Sequence, residues 1–328
     1  TGNAVILKPA EQSSVIAAHV AHLLREAGVP PKVVQLVPGR GPEVGAALVR
    51  HPRIAVILFT GSKIVGTSIL KSAAQVMGGQ HFVKHVVLEM GGKNAIIVDA
   101  DADVDAAIQG ALVSAFGYQG QKCSAASRLI VLESIYEAFL ARFVKAVDRL
   151  VGGDPADPET DLGPLIDEEA YHRLTQAAGY AHEVGRVAYA YPASRLPKTG
   201  YFVGPTIVTD VPAQHPLARD ELFGPLVCVF RVRRFEDAVE LANNSDYGLT
   251  GGVYSRLPSH LQLAMERFDV GNLYLNRPIT GAIVGRQPFG GYKLSGLGTK
   301  AGGPDYLRQL VVSKTVCENT ARHGMPLE

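Results

Sequence analysis

The sequence predicts an α/β protein in two domains: a parallel sheet of the nucleotide-binding type, then a second α/β layer. Three observations predict it. Short apolar runs alternate with helical stretches from Ala4 to Glu89, the pattern of a parallel sheet covered on both faces. Past Glu89 the pattern changes, and longer helices with further apolar strands continue to Leu275. At 328 residues, with 47% hydrophobic and 19% charged residues, the chain has apolar material for two cores.

Residues 4–7 form the first candidate strand. Residues 13–27 set Ile16, Val20, Leu23, Leu24 and Ala27 at helical spacing and stop at Gly28, which suits the position just past a helix end. Strands follow at 33–37 and 54–59, a helix at 64–76 and a fourth strand at 86–88. Asp99, Asp101 and Asp103 complement the start of a helix whose apolar face is Val104, Ala107, Ile108, Ala111, Leu112 and Ala115. A strand at 129–132 precedes Ser134-Ile135-Tyr136-Glu137, a capping box opening the next helix. Residues 152–161 are a Pro/Asp-rich loop, and 186–202 an irregular stretch or surface hairpin. Strands at 227–231, 252–254 and 272–275, helices at 235–243 and 259–268, and a strand-like run at 310–316 complete the chain.

A net charge of +1 gives no electrostatic case for nucleic acid or anionic membranes, so small-molecule partners are expected. No apolar run approaches about 18 residues, so no membrane span is expected. Residues 1–8 read as a strand inside a domain rather than a leader. Cys123, Cys228 and Cys317 are widely spaced, which points to a reducing compartment, the cytoplasm, and away from a disulfide framework or a thiolate zinc site. His19/His22 and His81/His85 lack a third ligand, and no metal is expected.

Chemistry concentrates in two stretches. In Gly120-Gln121-Lys122-Cys123-Ser124-Ala125-Ala126-Ser127, a cysteine sits between a helix and a strand among small residues that leave room for a substrate. A thiolate there is a nucleophile, and turn N–H groups can face a developing negative charge. By residue statistics alone Cys123 also fits a small buried apolar residue. In Val86-Val87-Leu88-Glu89-Met90-Gly91-Gly92-Lys93-Asn94, an apolar strand ends on a carboxylate that is costly to bury unless it is used or paired. Two glycine-rich loops compete for a phosphate. Gly39-Arg40-Gly41-Pro42-Glu43-Val44-Gly45 misses the dinucleotide spacing by one residue and reads as a turn. Gly61-Ser62-Lys63-Ile64-Val65-Gly66 follows a strand directly and opens a helix, whose N-terminal N–H groups can face a pyrophosphate.

Together with Phe59-Thr60-Gly61-Ser62 and Glu221-Leu222-Phe223-Gly224-Pro225, these stretches resemble the aldehyde dehydrogenase superfamily from Thr1 to about Lys314. Thr280-Gly281-Ala282, Gly285-Arg286-Gln287, Pro288-Phe289-Gly290-Gly291 and Lys300-Ala301-Gly302-Gly303-Pro304-Asp305-Tyr306 look like the 1-pyrroline-5-carboxylate dehydrogenase group within it. The resemblance implies a Rossmann-type parallel sheet, incomplete at its N-terminal side, in an NAD-binding domain at 1–90. It further implies a catalytic domain at 91–306 and a C-terminal strand and tail at 307–328 that serves oligomerisation. Cys123 is then the nucleophile and Glu89 the base that activates water. NAD would be held by Lys8 and Glu11 at the adenosine ribose, by Gly61, Ser62 and Gly66 at the pyrophosphate, and by Glu221 and Phe223 at the nicotinamide ribose and ring. A carboxylate at the 2′-hydroxyl favours NAD over its 2′-phosphorylated form. Ser124, Gly281, Ala282 and Phe289 would hold the substrate, L-glutamate γ-semialdehyde. Gly281 and Ala282 suit N–H contacts to its α-carboxylate.

By the same resemblance, an oxyanion-binding asparagine of the family falls upstream of Thr1. Loss of one such donor costs on the order of 10²–10³ in rate, so low activity is expected of this chain alone. Two other readings stay open: the same chemistry on another aldehyde, and a silent remnant that binds cofactor or associates.

Overall fold

The structure, a computed structural model, describes residues 1–320 and Gly324. Its first part runs β1 (Val5–Leu7), α1 (Ser14–Glu26), β2 (Val34–Leu36), α2 (Ala46–Arg50), β3 (Val56–Thr60), α3 (Lys63–Ala73) and β4 (His85–Glu89). The chain continues through β5 (Asn94–Val98), α4 (Val104–Phe116), β6 (Ala126–Leu132), α5 (Tyr136–Asp148), α6 (Glu168–Val184), β7 (Arg186–Ala190), β8 (Thr206–Thr209), α7 (Pro216–Arg219), β9 (Leu226–Val232) and α8 (Phe235–Asn243). It closes with β10 (Tyr247–Gly248), β11 (Thr250–Tyr254), α9 (Pro258–Arg267), β12 (Asn272–Leu275), β13 (Tyr292–Lys293) and β14 (Gly296–Leu297).

The larger layer is a seven-stranded sheet in the order β12-β11-β5-β6-β9-β8-β7, parallel except for β7 at one edge. Its central strands are apolar at every step because both faces are covered. Ile96, Val98, Leu129 and Val131 pack with Phe116, Phe139 and Phe143 of α4 and α5. Ala95, Ile97, Ile130 and Leu132 pack on the opposite side with α6, α8 and α9.

The first 90 residues differ from the single sheet expected. β1 and β2 form a separate parallel pair, whereas β3 and β4 pair in parallel and take β14 antiparallel along β4. The apolar residues that mark the period of α1 are turned to solvent: Ile16 is 67% exposed and Leu23 60%, and Ala21 is the helix's buried residue. The helical period was legible, but a two-stranded ribbon offers α1 no further layer to bury against. Amides of β1 and β2 should therefore exchange with deuterium well before those of β5, β6 and β9. Equal protection in the two sets would contradict this separation.

Two smaller expectations also change. The capping box at Ser134 does not form; α5 starts at Tyr136 behind Ile135, with no side-chain cap. The strand at 310–316 is absent as well. A short 3-10 turn at Tyr306–Leu310 leads into residues 311–316, which join no strand, with Val312 97% exposed. Residues 321–323 and 325–328 of the expected tail lie outside the described residues.

Candidate active site

Cys123 lies in the loop from α4 into β6. The loop begins with Tyr118 and Gln119, both left-handed at φ 59° and 55°. Such backbone costs about 1–3 kcal/mol per residue and persists only where the surroundings fix it. Gly120 continues the turn at φ 66°, and a Cβ there would lie 2.5 Å from the Gly224 carbonyl oxygen. The loop is thereby pressed onto the Phe223–Gly224 turn.

Behind the cysteine, Asn94 at the start of β5 acts as a clamp. Its Nδ2 donates to the carbonyls of Cys123 (2.7 Å) and Ala125 (2.9 Å), and its Oδ1 accepts from Thr250 N–H at 3.0 Å. Thr250 Oγ1 donates to the Ser124 carbonyl at 3.2 Å. Three successive carbonyls are thus tied to β5 and β11, and Ser124 is buried among them. Burial raises the Cys123 thiol above its ordinary value, with Glu221 and then Glu89 adding to the rise, while the N–H groups of Ser124 and Cys123 favour the thiolate.

Both carboxylates are set by the turn at Gly91 and Gly92. Glu221 Oε1 accepts from Gly92 N–H at 2.9 Å. A Cβ on Gly91 would sit 1.8 Å from Glu221 Oε2, so a side chain at 91 would evict the carboxylate. Lys93, fully buried, donates to the Leu217 carbonyl at 2.9 Å and ties this turn to α7, just ahead of Glu221. Burial raises the Glu221 carboxyl; Gly92 N–H, Lys93, Arg173 and Lys63 oppose the rise. Glu89 ends β4 with Oε2 buried and unpartnered, and burial pushes its carboxyl up to about 7, with Lys300 opposing. A groove lined by Gly92, Gly120, Lys122, Glu221 and Phe223 joins the cysteine loop to the Glu221 turn.

The remaining expected residues fall into three groups. Lys8 and Glu11 meet at the loop that follows β2: Lys8 Nζ donates to Gly39 O at 2.9 Å, and Glu11 Oε1 accepts from Gly41 N–H at 2.6 Å. At the start of α3, Ser62 caps the helix by accepting from Val65 N–H at 3.3 Å, and Gly61 N–H donates to Glu89 O at 3.0 Å. Gly66 is a packing residue here. Its N–H donates to Ser62 O, and a Cβ on it would meet Met90 Sδ at 2.5 Å. In the third group, Ile279 N–H donates to Ser114 Oγ at 3.1 Å, hanging the 279–287 loop from α4. Gly281, at φ 80°, and Ala282 present N–H groups with no acceptor among the described residues. Phe289 exchanges hydrogen bonds of 2.9 and 2.7 Å with Ala301.

Sequence reasoning missed Asn94, Lys300 and Ser295. Ser295 Oγ donates to Gly91 O at 2.7 Å and accepts from Gly248 N–H at 3.0 Å, fixing the same turn from below. Asn94 and Lys300 stood inside quoted motifs, and a polar residue beside a nucleophile or base turn was the available signal.

Over residues 1–316 the chain matches the aldehyde dehydrogenase family, and it belongs to that family. Its fold is that of an aldehyde dehydrogenase, with α/β layers around a largely parallel sheet. Among curated relatives it is 47% identical over 318 residues to 1-pyrroline-5-carboxylate dehydrogenase of Geobacillus sp. (strain WCH70), covering 97% of this chain and 61% of the relative. Among solved structures it is similar to 1-pyrroline-5-carboxylate dehydrogenase from Thermus with bound NAD, at TM-score 0.91 and 50% identity, covering 94% of this chain and 59% of that one. It is also similar to proline utilization A from Bdellovibrio bacteriovorus inactivated by N-propargylglycine, at TM-score 0.95 and 46% identity, over 100% of this chain and 34% of that one. The chain therefore spans about 61% of the length of the curated relatives it matches. Among the described residues no helix is long and apolar enough to cross a membrane.

Proposed function

We propose that the protein to which this chain belongs oxidises L-glutamate γ-semialdehyde, the open form of 1-pyrroline-5-carboxylate, to L-glutamate with NAD, in proline degradation. The observation that carries this reading is the convergence of the Cys123 thiol with Glu89 and Glu221, both of which act on it electrostatically. The Glu89 carboxyl is poised at about 7, where a water-activating base is most useful. Residues 1–90 are assigned to cofactor binding and 91–306 to chemistry.

The residues fit the dinucleotide. Gly91 leaves room for the Glu221 carboxylate at one end, and at the other the Glu11 carboxylate is held on the Gly41 N–H near Lys8. Negative charge at Glu11 disfavours a 2′-phosphate. NAD, when bound, supplies the two-electron acceptor for the hydride. Cys123 as thiolate adds to the aldehyde carbon to give a thiohemiacetal oxyanion, and the Cys123 N–H faces that charge. Loss of the hydride from this carbon leaves a thioester on Cys123. Glu89 takes a proton from water as it attacks the thioester, the C–S bond breaks, and glutamate departs with the thiolate restored.

Gly281 and Ala282 N–H groups would hold the α-carboxylate, with Ser124 beside the nucleophile and Phe289 on the aliphatic stem. Three free cysteines suit a reducing cytoplasm, and the exposed Val311, Val312 and Val316 suit contact between copies. The test is NADH formation with NAD and 1-pyrroline-5-carboxylate, run beside aliphatic aldehydes that lack the α-carboxylate. The semialdehyde should give the higher kcat/KM. Equal or higher kcat/KM for the simple aldehydes would reject the substrate and leave the reaction class.

A further inference from the structure

Glu89 and Lys300 reach one point from different elements. Glu89 ends β4, and Lys300 follows β14 on the far side of Gly290. A Cβ on Gly290 would lie 2.7 Å from Glu89 Oε1 and 3.4 Å from Lys300 Cα, so a single glycine separates carboxylate from lysine. The lysine is held in place from two sides. The paired hydrogen bonds between Phe289 and Ala301 fix its backbone. Its ammonium donates to Gly271 O, and to Asn272 Oδ1 at 3.3 Å, and Asn272 Oδ1 also accepts from Gly290 N–H at 3.3 Å.

An ammonium carries three donors, and two are committed to these neutral acceptors. The cation thus faces Glu89 without occupying its lone pairs, and Glu89 Oε2 stays unpartnered. A direct ion pair would hold the carboxylate charged but blunt its basicity. A cation anchored by its neighbours favours the charged form and leaves Oε2 without a hydrogen-bond donor.

We propose that Lys300 is a positioning residue for the base of the reaction: anchored on Gly271 and Asn272, it holds Glu89 as the carboxylate that accepts water's proton. This rests on the role proposed above for Glu89. Burial raises the Glu89 carboxyl and Lys300 opposes it; burial lowers Lys300 and Glu89 opposes that. The other titratable group facing Glu89 is the Cys123 thiol, which Glu221 also acts on from its own turn.

The test is a titration that needs no turnover. Glutamate labelled with ¹³C at Cδ is followed by NMR across pH, and the Glu89 signal is assigned by its absence from Glu89→Gln. In Lys300→Gln, which keeps a donor for Gly271 O but loses the charge, the Glu89 midpoint should rise by about 1 pH unit. Lys300→Arg should return it to the wild-type value, and Lys300→Met serves should the glutamine variant not fold. In turnover, the rising limb of kcat should follow the NMR midpoint, with KM unchanged. An unmoved midpoint in a folded Lys300→Gln overturns the proposal. So does an arginine variant shifted as far as the glutamine one, which would make the effect packing rather than charge. A full-length parent protein that shows the shift but forms no NADH would sink the proposed reaction and leave the electrostatic pairing standing.

Discussion

Cys123→Ala should abolish NADH formation from 1-pyrroline-5-carboxylate while leaving the fold and cofactor affinity intact. The substitution removes one atom, Sγ, and keeps Cβ. What holds the loop is backbone: the Asn94 amide bonds the carbonyls of Cys123 and Ala125, and neither bond involves the sulfur. The left-handed turn at Tyr118 and Gln119 and the contact of Gly120 with Gly224 are likewise untouched. The loss would therefore report chemistry. Without the thiolate there is no covalent adduct from which a hydride can leave. NADH absorbance, read beside NAD binding by calorimetry, makes the comparison. Semialdehyde oxidation above background in Cys123→Ala would remove the cysteine from its assigned role.

Glu89→Gln should separate the two halves of the reaction. Thioester formation proceeds once and stalls, so rapid mixing should show a burst of NADH near one equivalent, followed by turnover slowed by about 10²–10⁴. The pH profile gives the sign. The Glu89 carboxyl is raised to about 7, so its base form grows as pH rises through 7, and wild-type kcat should climb across that range to a plateau. The glutamine variant should lack this limb. Stability moves the other way: a carboxyl raised above its unfolded value binds its proton more tightly when folded, so stability falls as pH rises from about 4.5 to about 7. At pH 8 the glutamine variant should thus melt no earlier than wild type. A variant with full steady-state turnover, or one with no burst, would overturn the division of labour.

Much of this site was legible because its signals are local. A cysteine between a helix and a strand, and a carboxylate closing an apolar strand before two glycines, can be read from a few neighbours. The helix Phe235–Asn243 and the strand Asn272–Leu275 were read to the residue. The strand Asn94–Val98 was missed, because a Gly-Gly turn and an Asp-rich helix start on either side left only a short apolar run. The helix Glu168–Val184 was missed too; it buries small residues, Ala170, Ala177 and Ala181, beside a single Leu174, so its apolar period is faint. The exposure of the apolar stripe on α1 was not legible, because periodicity reveals a stripe but not whether another layer meets it. Asn94 and Lys300 escaped notice for a different reason. Their partners lie far along the chain, Thr250 for one and Glu89 for the other, and no local pattern carries such a contact.

The proposed nucleophile and the proposed base belong to different sheets. Cys123 is pinned to the seven-stranded layer through Asn94 and Thr250, whereas Glu89 is the last residue of a strand in the three-stranded layer. Residues 90–93 and the contacts of Ser295 and β14 join the two, with Lys63 reaching Asp246 and Tyr247 beside them. The reach between sulfur and carboxylate thus depends on how the two layers pack, and a substitution in that contact, remote from both side chains, is expected to slow the reaction.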